Sequence, residues 1–268
     1  MKRILAVVLM GAIAVPAAAL ADSQITAAGS TALLPLVKQS ATDYSTKHPD
    51  VKISVSGGGS FVGIAQASSG AADLGDSDVV APGNSGLVDH KVAVVGFAIA
   101  ANPSAGVTNL SAKQIRDIFA GRVTNWKQVG GSDRPIVVIN RPRNSGTRAV
   151  FTSTIMGVSQ IAETGLTQDS SGAVIATVAS TPGAVTYVAL GYTKDKPVND
   201  IKIGGIAPTS ANIQTGKYPI WSYEHIFTKG KARPDLESFI DFIAHNTDVL
   251  AKLGYIPVST MKVHETSR

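Results

Sequence analysis

Apolar and polar residues alternate along this chain with two different periods, and glycine, serine and asparagine mark the places where the period changes. Val51-Lys52-Ile53-Ser54-Val55 alternates strictly and predicts a strand with one buried face. Leu34, Val37, Ala41 and Tyr44 recur at helical spacing and predict one apolar helix face. The run Ile136-Val137-Val138-Ile139 is apolar throughout and predicts a buried strand. Further on, Ser111 can cap a helix, Gln114 completes a capping box, and Leu110 can staple against Ile115. That helix should end near Gly121, and a last one is expected around 236–244. Strands and helices therefore alternate, which is α/β patterning.

The joints carry the candidate chemistry. After the apolar run at 136–139 comes Asn140-Arg141-Pro142-Arg143-Asn144-Ser145-Gly146-Thr147-Arg148, where a strand hands over to a helix. The first N–H groups of a helix have no partner within it and form a ready anion site. Ser145 can cap, Gly146 admits a ligand to the backbone, Thr147 adds a hydroxyl, and Arg141 can offer a planar fork of donors. Two other joints repeat the design: Ala28-Gly29-Ser30-Thr31-Ala32, and Gly57-Gly58-Gly59-Ser60-Phe61-Val62-Gly63. Any one of them alone reads as a helix cap; three together can converge on one small anion.

Composition narrows the classes. The chain has 268 residues and a formal charge of +5. Lys2 and Arg3, an apolar run over 4–15, Pro16 and Ala19-Leu20-Ala21 describe a secretory signal peptide over 1–21. The run is shorter than the roughly 20 residues a membrane span needs. Cysteine is absent, which removes disulfides, thiolate metal sites, cysteine nucleophiles and a lipid-bearing cysteine together. The expected product is a free periplasmic protein, not lipid-anchored. The five histidines are scattered without zinc-type spacing, so no metal and no cofactor is expected. His225, in an aromatic segment, reads as a packed or hydrogen-bonded core residue. Basic residues are dispersed, which suits small anions and gives no nucleic-acid signature.

Gly29-Ser30-Thr31, the 57–63 loop, Leu74-Gly75-Asp76-Ser77-Asp78-Val79 and the 141–147 segment occur in an order and spacing that resemble one family. It is the phosphate-binding proteins of the phosphate-specific ABC transporter, a group of periplasmic solute-binding proteins. Ile118-Phe119-Ala120-Gly121, Thr124-Asn125-Trp126, Thr181-Pro182-Gly183-Ala184-Val185-Thr186-Tyr187 and Tyr218-Pro219-Ile220-Trp221-Ser222-Tyr223-Glu224-His225 extend the resemblance over 24–257. It implies a two-lobed α/β fold of the type II periplasmic-binding-protein kind, with the ligand in the inter-lobe cleft. Lobe 1 would comprise 22–98 plus 222–268 and lobe 2 would comprise 99–221, joined through the segments 92–102 and 218–229. The resemblance further implies a monomeric receptor that delivers inorganic phosphate to a membrane ABC permease and catalyses nothing. By matching positions, Thr31, Ala32, Ser60, Arg141, Ser145, Gly146 and Thr147 would bind phosphate, with Ser30 ranked behind them.

Asp78 completes that set and carries the selectivity argument. Phosphate near neutral pH bears at least one proton, whereas sulfate and molybdate bear none. A carboxylate can accept the phosphate proton in a charge-assisted bond, but offers sulfate only lone pairs against lone pairs. Arsenate shares the protonation and shape of phosphate and is not discriminated by this device. There is one departure from the family pattern: Arg143 stands where relatives often carry an acid that orients the arginine. Arg143 would then face solvent, or Arg141 would be held by Asp76 or Asp169. The loop at 168–172 reads as a surface turn more readily than as part of the cleft rim. The remaining rivals are receptors for arsenate, sulfate or molybdate, and a hydrolase acting on phosphate esters. Ser145 lacks the G-x-S-x-G elbow, and the glycine loop fits neither nucleotide-binding fingerprint.

Overall fold

The computed structural model describes residues 23–264, so the signal peptide expected over 1–21 lies outside the described residues. In chain order the elements are β1 (Ser23–Gly29), α1 (Leu34–Lys47), β2 (Val51–Gly57), α2 (Ser60–Ser69), β3 (Leu74–Ser77) and β4 (Leu87–Ala101). They continue with β5 (Asn109–Leu110), α3 (Ala112–Phe119), β6 (Val137–Asn140), α4 (Gly146–Phe151), β7 (Leu166–Thr167) and α5 (Ser171–Ser180). The last group is β8 (Ala184–Ala189), β9 (Asn199–Ile203), α6 (Ser210–Gln214), β10 (Trp221–Lys229), α7 (Pro234–His245) and α8 (Thr247–Leu253).

β4 organises these pieces because it changes partners part-way along. Its first stretch, from Leu87 to Gly96, pairs antiparallel with β10. From Phe97 to Ala101 it pairs antiparallel with β8, and with β9 over Ile99 to Ala101. The main strand order is β2-β1-β3-β10-β4-β8-β6-β7. β1 is parallel to β2 and β3, and β6 is parallel to β7 and β8. Residues 92–101 of β4 are buried without exception, as expected of a strand covered on both faces. Gly96 leaves room there for the end of the Ile213 side chain of α6, which a Cβ would approach to 2.3 Å.

Local signals explain the ends of several helices. Ser111 Oγ accepts from Gln114 N–H at 3.2 Å and Gln114 Oε1 accepts from Ser111 N–H at 2.8 Å, the expected capping box. α3 stops at Phe119, two residues before Gly121, whose φ is +73°. The first helix turns slightly from the expected face: Leu36, Val37, Ser40, Ala41 and Tyr44 are buried, while Leu34 is only partly so. The largest apolar cluster runs through both sheet portions, from Ile25 and Leu36 to Phe97, Trp126 and Tyr187. A smaller one, including Ile139, Val174 and Val188, lies beneath α5. Among the described residues no helix is long and apolar enough to cross a membrane.

Candidate functional site

The carboxyl-terminal ends of β1, β2, β3 and β6 open onto one spot, where the turns before α1, α2, α4 and α5 meet. Sequence position alone does not dictate this. The parallel pairing of β1 with β2 and β3 does so for one side, and that of β6 with β7 for the other.

Asp78 is the hub. It is 1% exposed, and both of its carboxyl oxygens are engaged. Ser30 Oγ donates to Oδ1, and Thr147 Oγ1 donates to Oδ2 at 2.7 Å. The Asp78 N–H donates to Ser60 Oγ at 2.9 Å. Burial pushes the Asp78 carboxyl above its ordinary value, while the Ser30 and Thr147 hydrogen bonds, the Arg141 charge and Ser60 pull it back. Gly146 packs against the same group: a Cβ there would lie 2.1 Å from Ser60 Oγ and 2.9 Å from the Asp78 Cβ. Only glycine lets these three segments come together. Gly59 plays a similar part beside it, with φ +93° and no room for a Cβ next to the Asn144 carbonyl oxygen, 2.6 Å away.

Arg141 supplies the cation. It is 1% exposed, and burial lowers its pKa, with the nearby Asp78 charge opposing that. Nη2 donates to Thr31 Oγ1 at 3.0 Å and to the Asp169 carbonyl at 3.2 Å, and Nη1 donates to Ser171 Oγ at 3.2 Å. Among the described residues its Nε meets no acceptor. Thr31 is fixed in turn by the Ser171 N–H, which donates to its Oγ1 at 3.1 Å, and by the Tyr192 hydroxyl on its carbonyl at 2.7 Å. Ser145 is buried and caps α4, its Oγ accepting from Arg148 N–H at 3.2 Å.

The structure thus brings Ser30, Thr31, Ser60, Asp78, Arg141, Ser145, Gly146 and Thr147 into one buried cluster. Ala32 is buried beside them, but its N–H donates to Ser30 Oγ at 3.0 Å, as does that of Leu33 at 3.2 Å. Ser30, ranked low from sequence, is therefore central: it caps the first turn and bonds Asp78. Arg143 faces solvent, with its side chain 88% exposed and 3.5 Å from Glu163. Arg141 is held by the Asp169 main chain and Ser171, and not by Asp76. The turn reading of 168–172 is corrected on one point: Ser170 caps α5, but Ser171 is fully buried and bonds both Arg141 and Thr31. Sequence reasoning passed over Ser171 because its partners lie 30 and 140 residues away. The Ser-Ser-Gly run before an apolar helix was the only local sign. His225 is a buried, bonded residue, its Nδ1 2.8 Å from Asp89. Among the described residues no group of three or more metal-ligating side chains has a geometry that could hold a metal ion.

Buried hydroxyls, helix-start N–H groups, one arginine and one carboxyl, gathered where two sheet portions meet, define a receptor for a small oxyanion. Comparison with known proteins gives the same class. Residues 14–247 match the PBP superfamily domain. The phosphate-binding protein PstS of Bacillus subtilis (strain 168) is 43% identical over 251 residues, covering 91% of this chain and 83% of that protein. A substrate-binding protein from Clostridium perfringens, solved with bound phosphate, superposes with a TM-score of 0.84 at 30% identity, covering 88% of this chain and 100% of its own. An ABC-type phosphate transport receptor from Vibrio cholerae gives 0.71 at 32% identity, covering 87% and 99%. The chain belongs to the PBP superfamily and, within it, to the family of the phosphate-binding protein PstS. Its fold is the two-lobed solute-binding fold, and the family is one of receptors, not enzymes.

Proposed function

We propose that this protein is an extracytoplasmic receptor that binds one inorganic phosphate in the cluster around Asp78 and delivers it to an ABC import permease. One observation carries the reading. Hydroxyls from three junctions and the Arg141 guanidinium surround a carboxyl that can accept a ligand proton. In this reading Arg141 neutralises the anion through a charge-assisted fork. Thr31, Ser60 and Ser145 donate hydroxyls, Gly146 and Thr147 contribute main-chain N–H groups, Ala32 adds its own by turning from Ser30 to the ligand, and Asp78 accepts the phosphate proton. Ser30 orients Asp78. The names of the relatives support phosphate as the ligand and ABC transport as the setting. The protein acts as a monomer released after cleavage of the 1–21 leader.

The two lobes are assigned as 22–98 plus 222–268 and 99–221, hinged where the chain passes between the sheet portions. The change of β4 partner between Gly96 and Phe97 supports that boundary. Phosphate binding should compact the protein in small-angle scattering; an unchanged profile with binding confirmed in the same sample would refute the hinge. The function itself is tested by calorimetry on refolded, phosphate-stripped protein. Phosphate and arsenate should bind, and sulfate and molybdate should bind far more weakly. Preferential binding of sulfate or molybdate would overturn the reading.

A further inference from the structure

Beneath Asp78 lie two more buried carboxyls that the phosphate reading leaves unused. Asp76 and Glu224 are each 0% exposed, and among the described residues none of their four carboxyl oxygens meets a hydrogen-bond donor. Strand register brings them to the hub. In the antiparallel pair of β3 and β10, Ile226 stands opposite Asp76 and His225 opposite Ser77, so Glu224 falls beside Asp78. The β4–β10 register shifts between Glu224 and His225, with Val92 of β4 as the extra residue, so the ladder is irregular beside Glu224. With Asp78 opposite it just past the end of β3, the Glu224 carboxyl faces another acid and is acted on by Asp78 and Asp76.

Two facing carboxyls form a hydrogen bond only if one of them holds a proton. The other polar groups near Glu224 cannot supply it. The Tyr192 hydroxyl donates to the Thr31 carbonyl and the Tyr255 hydroxyl to the Ala32 carbonyl. Arg141 reaches Asp78 by its charge, its hydrogen bonds go to Thr31, Ser171 and Asp169, and it is not among the groups acting on Glu224. From β4 the residue opposite is Ala93, and the neighbouring His225 bonds Asp89. The remaining facing group is Asp76, itself an acid. Burial, then the charges of Asp78 and Asp76, push the Glu224 carboxyl well above its ordinary value.

We propose that Glu224 holds a proton at neutral pH and donates it to Asp78, and that this makes Glu224 a positioning residue for ligand selection. The inference rests on the phosphate reading of the Asp78 cluster. An ionised carboxylate has about four acceptor sites. Ser30, Thr147 and Glu224 occupy three, and the fourth is open to an O–H of the ligand once the Ser60 hydroxyl, which also acts on Asp78, turns to the ligand. Asp78 filled in this way cannot take a proton of its own without losing a bond, so it stays an acceptor and demands a protonated ligand. Without the Glu224 donor, Asp78 is free to become protonated and to offer its own O–H to an unprotonated anion such as sulfate.

The test compares wild type with Glu224→Gln and Glu224→Leu by calorimetry, using inorganic phosphate and sulfate across neutral to alkaline pH. Glutamine keeps a donor for Asp78 that never titrates; leucine removes it. E224Q should keep the wild-type phosphate-to-sulfate ratio at neutral pH, whereas E224L should lower it by about tenfold or more, the worth of a bond to a charged group. Raising the pH should weaken phosphate binding more in wild type than in E224Q. The ligand titrates alike in both experiments, so the difference belongs to Glu224. An unchanged ratio in E224L, or parallel pH profiles for wild type and E224Q, overturns the inference. If E224L does not fold, the two pH profiles decide it alone. Wild-type protein that binds no phosphate would instead overturn the functional reading, whereas selective wild-type binding with unaltered variants overturns only the role of Glu224.

Discussion

Asp73 and Asp76 stand three residues apart on the same segment, yet their carboxyls live in opposite surroundings. Asp73 sits just before β3 at the open end of the sheet. There Arg233 Nη1 donates to it at 2.5 Å, and the Thr26 N–H and hydroxyl each donate at 2.8 Å. Burial pushes its carboxyl up, but the Arg233 and Thr26 hydrogen bonds outweigh this and hold it below the ordinary range. At the other end Asp76 is fully buried without a donor among the described residues, and burial followed by the Asp78 charge drives its carboxyl well above that range. Residue type is the same; the supply of donors differs. Buried polar groups in native proteins are normally satisfied, so an unsatisfied pair such as Asp76 and Glu224 calls for a functional account. The paired acid fastens the fold, and the unpaired ones lie beneath the proposed ligand.

The comparison breaks first at Arg141. If this guanidinium is the cation that makes a carboxyl cluster tolerable beside an anion, Arg141→Ala should weaken phosphate binding by on the order of 2–5 kcal/mol. Calorimetry measures it, and tight binding retained in the variant would place the site elsewhere. Asp78→Asn acts next, on selectivity. Its amide can donate to sulfate, and the buried charge is gone, so sulfate gains. Phosphate loses little, because relief of like-charge repulsion offsets part of the lost bond. The phosphate-to-sulfate affinity ratio at fixed pH and salt should fall by about tenfold or more, one charged hydrogen bond's worth. If the ratio does not move, Asp78 is a turn residue.

What the amino-acid sequence discloses about this site divides along the same line. Ser111, Ser145 and the glycine junctions are legible because caps and turns are local: donor and acceptor lie within a few residues. Arg141 and Asp78 are legible because a family pattern surrounds them. Ser171, Asp76 and Glu224 are not, since each acquires meaning from a partner on a distant strand. Glu224 reaches Asp78 only through the register of β3 against β10 and the shift beside it. The central place of Ser30 was hidden for a different reason: a serine that caps a turn and one that bonds a distant carboxylate look identical in sequence.

Asp76 gives the third test, on stability. Its folded-state carboxyl titrates above the unfolded value, so the folded protein binds more protons. Stability from this group is fully present below the ordinary carboxylate pKa and is lost as pH rises toward the folded value. Asp76→Ala removes the linkage. At neutral pH the ligand-free variant should be more stable than wild type by about 1–3 kcal/mol, the cost of an unsatisfied buried polar group. In acid that excess should vanish. Thermal melts of phosphate-stripped protein across the pH range measure both, and a pH-independent difference would show that Asp76 is not the titrating group.

Arg233→Ala is the weakest of the four and completes the contrast. Arg233 also bonds the Asp235 carboxyl at 2.9 Å and the Gln24 carbonyl at 2.9 Å, and its side chain is 44% exposed. Ion pairs this open to water are worth about 0.2–1 kcal/mol, so the variant should lose no more than that at neutral pH. The sign with pH is opposite to that of Asp76. Asp73 and Asp235 titrate below their ordinary values, so their contribution is present above the unfolded carboxylate pKa and disappears as pH falls through the folded values. Both variants should therefore converge on wild type in acid, Arg233→Ala from below and Asp76→Ala from above. Added salt should shrink the Arg233 difference, because exposed pairs are screened, and leave the buried Asp76 difference nearly unchanged. A salt-sensitive Asp76 effect would mean that water reaches that carboxyl, and the distinction between the two ends of β3 would fall.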